Sequence, residues 1–273
     1  MLDEIVNYGT NLYTRHTHQL PEIISAEGVP LLIYLHILEM TDGASILLHE
    51  SAVSAAIPTV RASFESALAL EYILKQDSVN RAHAWAVGYI AEQIDVCDKI
   101  LGQNQPGQKF AEALASDTLK DDIDVSVLTP LAAKHRLYWE KELARPELAA
   151  AVAERAASTK TYPHWYTSFG GPTNLRALAS RINREAQYNI LYGHFSSIAH
   201  GQNLRHFAVA AKSNDPLVRL LREPSGFSMV GGLAASFALR ATHLLSEKYD
   251  EMAQYRKWYG AEVRSAFRPD TGA

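Results

Sequence analysis

Apolar residues recur at spacings of three and four along most of this chain, and no series of alternating, strand-like runs interrupts them. The pattern predicts a first short helix over residues 3–19, ending near Pro21. A second starts after Pro30, carries Leu31, Leu32, Leu35 and Leu38, and stops at the Asp42-Gly43 turn. From Ala44 to Leu74 runs a long stretch rich in Ala and Leu, with Pro58 as its expected kink. Further helices are expected over 79–101, from Pro130 to Leu143, and over 146–157, 173–183, 185–200 and 229–259. Loops are expected at 102–107, 117–124 and 162–172; residues 203–225 show no clear period, and the tail after Phe267 reads as frayed. These elements predict an all-α multi-helix bundle with a long central helix, few or no strands, and a single helical domain over 1–273.

Composition narrows the classes. The chain has 273 residues, 47% hydrophobic and 21% charged, as expected of a soluble globular protein. Its net charge of −4 argues against a dedicated nucleic-acid backbone binder. Charge is uneven, however. Residues 1–130 hold seven Lys/Arg against 18 Asp/Glu, and the remainder holds 19 against 12. Over 174–222 there are seven basic and two acidic residues, which suits either an anion-binding face or simple attraction between the two halves. Cys97 is the single cysteine, so an intramolecular disulfide and a Cys-based zinc module are excluded, and a cytoplasmic location is expected. The N-terminus lacks a secretory pattern, and the apolar runs Leu31–Leu38 and Phe227–Leu239 fall short of a roughly 18–20-residue span, so no membrane partner is expected. No dinucleotide-binding, P-loop, nucleophile-elbow or His-Glu-x-x-His motif occurs.

Two helices carry the candidate chemistry. The 44–74 stretch has only four charged residues, Glu50, Arg61, Glu65 and Glu71. Arg61 and Glu65 lie about 40° apart on a helix that is apolar around most of its circumference, so they are expected inside, paired. On the 185–200 helix, Tyr188, Asn189, Tyr192, Ser196 and His200 form one polar stripe beside an apolar flank. Gly201 suits a helix C-cap, next to which the dipole favours a cationic His200. Facing one another, the two seams would assemble Arg61, Glu65, Tyr192, Ser196 and His200 as a catalytic set. His200 would serve as general acid or base, Arg61 would stabilise anionic charge, Glu65 would orient and Tyr192 would position. The same residues equally suit a structural ion pair and a satisfied polar network. Ser196 lacks the strained turn of a nucleophile and suits a bond to the carbonyl four residues earlier.

No metal or cofactor is expected. His194 lies about 120° from His200 on the helical wheel, His16 and His18 have no clustered partners in the sequence, and His36 with Glu39 falls short of a ligand set. The loop His164-Trp165-Tyr166, followed by Gly170-Gly171-Pro172, suits a lid or an anchor onto the core. Gly231-Gly232-Leu233-Ala234-Ala235-Ser236 suits close helix packing.

The blocks Leu38-Glu39-Met40-Thr41-Asp42-Gly43, Arg61-Ala62-Ser63-Phe64-Glu65 and Leu70-Glu71-Tyr72-Ile73-Leu74 resemble a family of unknown function, DUF5677. So do Trp165-Tyr166 with Gly170-Gly171-Pro172, and Tyr192-x-x-x-Ser196-x-x-x-His200, over roughly residues 30–205. The resemblance implies a mostly helical fold and places Arg61, Glu65, Tyr192, Ser196 and His200 at motif positions. It supplies no reaction. Two functions stay open: a metal-independent hydrolase or phosphodiester-transfer enzyme, and a non-catalytic module that binds a small anionic ligand or a protein, with the polar cluster structural. The Arg-x₄₋₆-His spacing that would support RNA cleavage is absent: Arg184 precedes His194 by ten residues, and Arg205 abuts His206.

Overall fold

The computed structural model describes residues 1–20, 22–118, 120, 124–160, 163–199, 208–210, 216–218 and 222–264. The protein is all-α. Its helices are α1 (Leu2–Thr17), α2 (Gly28–His49), α3 (Val53–Lys75), α4 (Ser78–Leu101), α5 (Gln105–Ser116), α6 (Val125–Leu143) and α7 (Ala149–Ala156). They continue with α8 (Leu175–Arg181), α9 (Glu185–Ala199), α10 (Phe227–Lys248) and α11 (Met252–Trp258), which runs into a π-turn over Tyr259–Val263. Ala208–Ala210 and Pro216–Val218 form a short antiparallel ladder inside the segment without clear periodicity. The expected frayed tail after Phe267 lies outside the described residues. Two compact units are present: one formed by 1–23, 27–78 and 175–273, the other by 24–26 and 79–174.

In the first unit α3 is the central helix, packed along α2 and contacted by α8, α9 and α10. Val60, Phe64, Leu68, Leu70, Tyr72 and Ile73 of α3 are all buried. Tyr34 of α2 is fully enclosed, and its hydroxyl shares a 2.8 Å hydrogen bond with Thr242 of α10. Gly9 is where α1 meets α2: a Cβ there would sit 2.5 Å from both Leu38 Cδ2 and Tyr34 Oη. The glycines among the small residues expected to let α10 pack closely are not required for it: a Cβ at Gly231 would meet Leu48 Cδ1 of α2 at an ordinary 3.5 Å, and one at Gly232 would meet nothing within 4 Å.

In the first unit, three helix boundaries depart clearly from the sequence expectation. Asp42-Gly43 does not end α2, which continues to His49; a helical glycine costs only about 1 kcal/mol relative to Ala, and packing against α3 outweighs it. By length and composition α2 is thereby apolar enough to cross a membrane, although half of its most apolar window is buried within the protein. The 44–74 helix instead breaks at residues 50–52. Ser51 adopts a left-handed φ of 56°, its N–H bonds to Leu48 O, and the Ala52 N–H bonds to Leu47 O at 2.8 Å. That is a Schellman ending with serine where glycine is usual. The 229–259 helix breaks in the same way at Asp250 (φ 57°), where Glu251 N–H reaches Ser246 O at 2.7 Å. Pro58, in contrast, lies within α3 without ending it, as the sixth residue of that helix.

The break at Asp250 places Glu251 against α1. Its carboxylate accepts from Arg15 at 2.5 Å and lies 2.8 Å from His16 Nε2, and the His16 ring stacks on Tyr249 at 3.9 Å. His16, read as isolated in the sequence, therefore has two partners from the end of α10. Arg15 first of all, despite some burial, holds the Glu251 carboxyl below the usual carboxylate range. Trp258 stacks on Tyr8 at 4.0 Å and donates to Glu4 at 2.9 Å, tying α11 to α1.

The second unit is built from α4 to α7. The 102–107 loop is shorter than expected because Asn104 caps α5, its side chain accepting from the Gly107 N–H, with Pro106 in the first turn. Asp124 likewise caps α6, which starts at Val125 rather than at Pro130. Arg136 of α6 donates to Asp98 of α4 at 2.5 Å, and Tyr89 meets Trp139 edge-on at 5.5 Å. The aromatic loop is an anchor on this unit: Trp165 packs on Gly88 of α4, where a Cβ would come within 3.1 Å of Trp165 Cβ.

Candidate functional site

Arg61 and Glu65 are one turn apart on α3, and Arg61 Nε donates to Glu65 Oε1 at 2.7 Å. Across the α3–α9 contact, Arg61 Nη2 donates to the Tyr192 hydroxyl at 3.1 Å, and its guanidinium carbon stands 4.7 Å from the centre of the Tyr192 ring. Tyr188, one turn earlier on α9, stacks on Tyr192 at 4.6 Å and an interplanar angle of 16°. The expected juxtaposition of the two seams is therefore present for Arg61, Glu65, Tyr188 and Tyr192. Ser196 is half-buried one turn beyond Tyr192, and Asn189 is exposed. His200 lies outside the described residues.

The seam is electrically balanced. Burial alone would lower the Arg61 pKa, but Glu65 and Tyr192 outweigh it and raise the value, so the guanidinium stays charged. Burial, then the neighbouring Tyr192 and Glu65, pushes the Tyr188 phenol up and keeps it neutral. Two of the guanidinium nitrogens and one ring face are already occupied by protein groups. Such an arrangement fastens α9 to α3. In a double-mutant cycle with Arg61→Met and Tyr192→Phe we expect a coupling energy of about 1 kcal/mol, the scale of a charged hydrogen bond plus a cation–π contact at a partly exposed site. Hydrogen exchange of the α3 and α9 amides checks it, and additive losses would show that the two side chains do not support one another.

A second cluster on the same helices was not singled out from the sequence. Glu71 of α3, only 12% exposed, accepts from two arginines. Arg184, just before α9, reaches it through Nε at 3.2 Å and Nη2 at 3.5 Å. Arg240 of α10 reaches it through Nη2 at 2.8 Å and Nε at 3.5 Å. Burial works to raise the Glu71 pKa, but hydrogen bonds from Arg240 and Arg184 overcome it and hold the carboxyl below the usual range. One carboxylate facing two guanidinium groups leaves the trio with a net charge of +1. The trio lines a cavity of about 120 Å³ with Phe64, Leu68 and Gln187.

Signals for this cluster existed. Glu71 is one of four charges on the same apolar stretch that drew attention to Arg61, and Arg240 is the one charged residue between Phe227 and Ser246. What the sequence does not carry is that α10 crosses α3 at Glu71. Arg184 is placed by a third Schellman ending, at Asn183 (φ 63°), whose following N–H, that of Arg184, bonds to Ala179 O at 2.7 Å. Among the described residues, no group of three or more His, Cys, Asp or Glu is placed to hold a metal ion.

Fold and clusters together define an all-α protein whose central helix carries two arginine–carboxylate networks, one neutral and one cationic. The model of the family of unknown function DUF5677 matches residues 27–215, more than half of the chain, and the protein belongs to that family. The match covers the whole stretch of roughly 30–205 over which the sequence motifs recur. No curated protein and no solved structure matches the chain.

Proposed function

We propose that this protein binds a small anion, with the Glu71–Arg184–Arg240 trio as its anchor and the Arg61–Glu65–Tyr192 seam as the fastener that positions α9. The observation that carries this is the surplus cation: two arginines share one carboxylate beside a cavity. Each guanidinium has five N–H donors in a fixed fork, more than Glu71 can accept. Arg184 and Arg240 are 34% and 40% exposed, so an anion can reach them from solvent. The basic excess over 174–222 adds a favourable field around the same region of sequence.

A metal-independent hydrolase or phosphodiester-transfer centre at Arg61 has less support. Arg61 sits in a neutral pairing, its charge matched by Glu65 at 2.7 Å, whereas the Glu71 trio carries a surplus cation. Anion binding to the folded state raises its melting temperature by mass action. We expect acetate and phosphate to raise the melting temperature of the wild type in a concentration-dependent way, relative to chloride at equal ionic strength. In Arg240→Gln the rise should be reduced at least several-fold. Equal shifts in both proteins, or none in either, would contradict an anchor at this trio.

A further inference from the structure

The Glu71–Arg184–Arg240 trio leaves a defined set of donors open. Both arginines meet Glu71 through the same edge, Nε with Nη2. A guanidinium carries five N–H groups in one plane, so three remain on each arginine, two of them on Nη1. Among the described residues, Nη1 of neither arginine has a protein partner. The open edge of each is therefore the Nη1–Nη2 fork, whose parallel N–H groups match the two oxygens of a planar carboxylate.

The cavity that the trio lines sets the size of the ion. At about 120 Å³ it holds about four water volumes of roughly 30 Å³ each, which suits an ion of about three to five non-hydrogen atoms. Its inner lining is apolar and tightly closed: Phe64, Leu68 and Phe237 are 1%, 2% and 3% exposed. An oxygen turned toward that lining would give up its hydration and find no donor. Gln187 and Ser236 add one amide and one hydroxyl to the rest of the wall. A carboxylate can keep both oxygens on the polar side and turn a hydrogen or a methyl group inward. A tetrahedral oxyanion cannot keep all four of its oxygens there. Charge favours the same choice. Attraction to the single surplus charge grows in proportion to the charge of the ion, whereas the cost of dehydrating the ion grows with the square of that charge.

Resting on the anion-binding role proposed above, we infer that the trio takes a small planar monocarboxylate, between formate and propionate in size. Its oxygens sit on the Nη1–Nη2 forks of Arg184 and Arg240, and its carbon end faces the apolar lining. Branched acids and tetrahedral dianions bind the same site more weakly.

The test is a titration of the full chain with the sodium salts of formate, acetate, propionate, trimethylacetate and sulfate at constant ionic strength. Binding is followed by nuclear magnetic resonance through the Nε–H signals of Arg184 and Arg240. Acetate is expected to bind about fivefold or more tightly than trimethylacetate, which overfills the cavity, and by a similar factor more tightly than sulfate, which leaves an oxygen unpaired. Ala67 lines the same cavity and is 9% exposed. Ala67→Val narrows the cavity by two methyl groups, so it should weaken propionate severalfold and leave formate unchanged. If that variant does not fold, the wild-type series decides alone. Equal affinities for acetate, trimethylacetate and sulfate, or a size limit that Ala67→Val does not move, would overturn the assignment to a small planar monocarboxylate and leave the anion role standing. Failure of acetate, sulfate and phosphate alike to shift either arginine signal would overturn both.

Discussion

Phe64→Ala is expected to cost about 3–5 kcal/mol, the range for truncating a fully buried aromatic side chain. Phe64 is 1% exposed and its ring lies 5.1 Å from Phe237, so it joins the central helix α3 to α10. The loss has two parts: the transfer free energy of the ring, and the void that remains where neighbouring helices cannot close in. Phe64 also lines the small cavity beside Glu71, so the void would open next to the arginine trio. Phe64→Leu, which keeps most of the volume, should cost about 1–1.5 kcal/mol. Because the chain forms two compact units, a single global transition is an insecure measure. Hydrogen exchange of the α3 and α10 amides reads the affected unit directly. Unchanged protection of those amides in Phe64→Ala would mean that this aromatic pair does not hold the two helices together.

Glu71→Gln is the second large effect, expected at about 2–3 kcal/mol. Removing the shared carboxylate leaves two guanidinium groups facing one another with a neutral amide between them. Breaking a buried pair in this way typically costs about 3–5 kcal/mol; here Arg184 and Arg240 are 34% and 40% exposed, so water screens part of it. The pH dependence has a definite sign. The folded-state pKa of Glu71 is depressed, so its contribution is complete above the ordinary carboxylate pKa of about 4.3 and is lost as pH falls through the folded value. The stability gap between wild type and Glu71→Gln should therefore be constant near neutrality and narrow below about pH 4. Acid titration of both proteins by circular dichroism measures that gap. A gap that stays constant to pH 2.5 would show that Glu71 carries no depressed pKa. Glu251, also depressed by Arg15, is present in both proteins and cancels in the difference.

The pairing of α3 with α9 was legible because charge and hydroxyl groups on apolar helices have few places to go. Arg61 and Glu65 stand out against Ile57, Leu68 and Tyr72, and the Tyr188–Tyr192 stripe stands out against Phe195 and Ile198. Periodicity says which of them share a face, but the expected burial is only partial: Arg61 is 17% and Glu65 36% exposed, so the seam lies at the edge of the core and not inside it. The cationic trio was less legible for a different reason. Its three members come from α3, the start of α9 and α10, and no periodicity links positions 71, 184 and 240.

The helix endings show the same division. Ser51 and Asp250 adopt left-handed backbone where glycine is the usual signal, so the two longest expected helices read straight through their true breaks. An L-residue there costs about 1–2 kcal/mol, which local preference alone would not accept. Antiparallel packing of α2 on α3, and the seat that Glu251 finds between Arg15 and His16, make the turns worthwhile.

By itself, then, the sequence determined the helical class and the apolar faces, and marked Arg61, Glu65 and Tyr192 as polar groups in need of partners, because each follows from side-chain spacing along one helix and from the cost of burying unpaired charge; that Arg61 meets Tyr192 was decided by the crossing of α3 and α9. Only the tertiary structure decided where α2 and α10 end, that Glu71 is shared by two arginines, and that Phe64, Leu68 and Phe237 line the cavity beside them. Those features depend on the crossing of helices far apart in the chain, and helix crossings are set by the sum of many small packing contacts rather than by any local pattern.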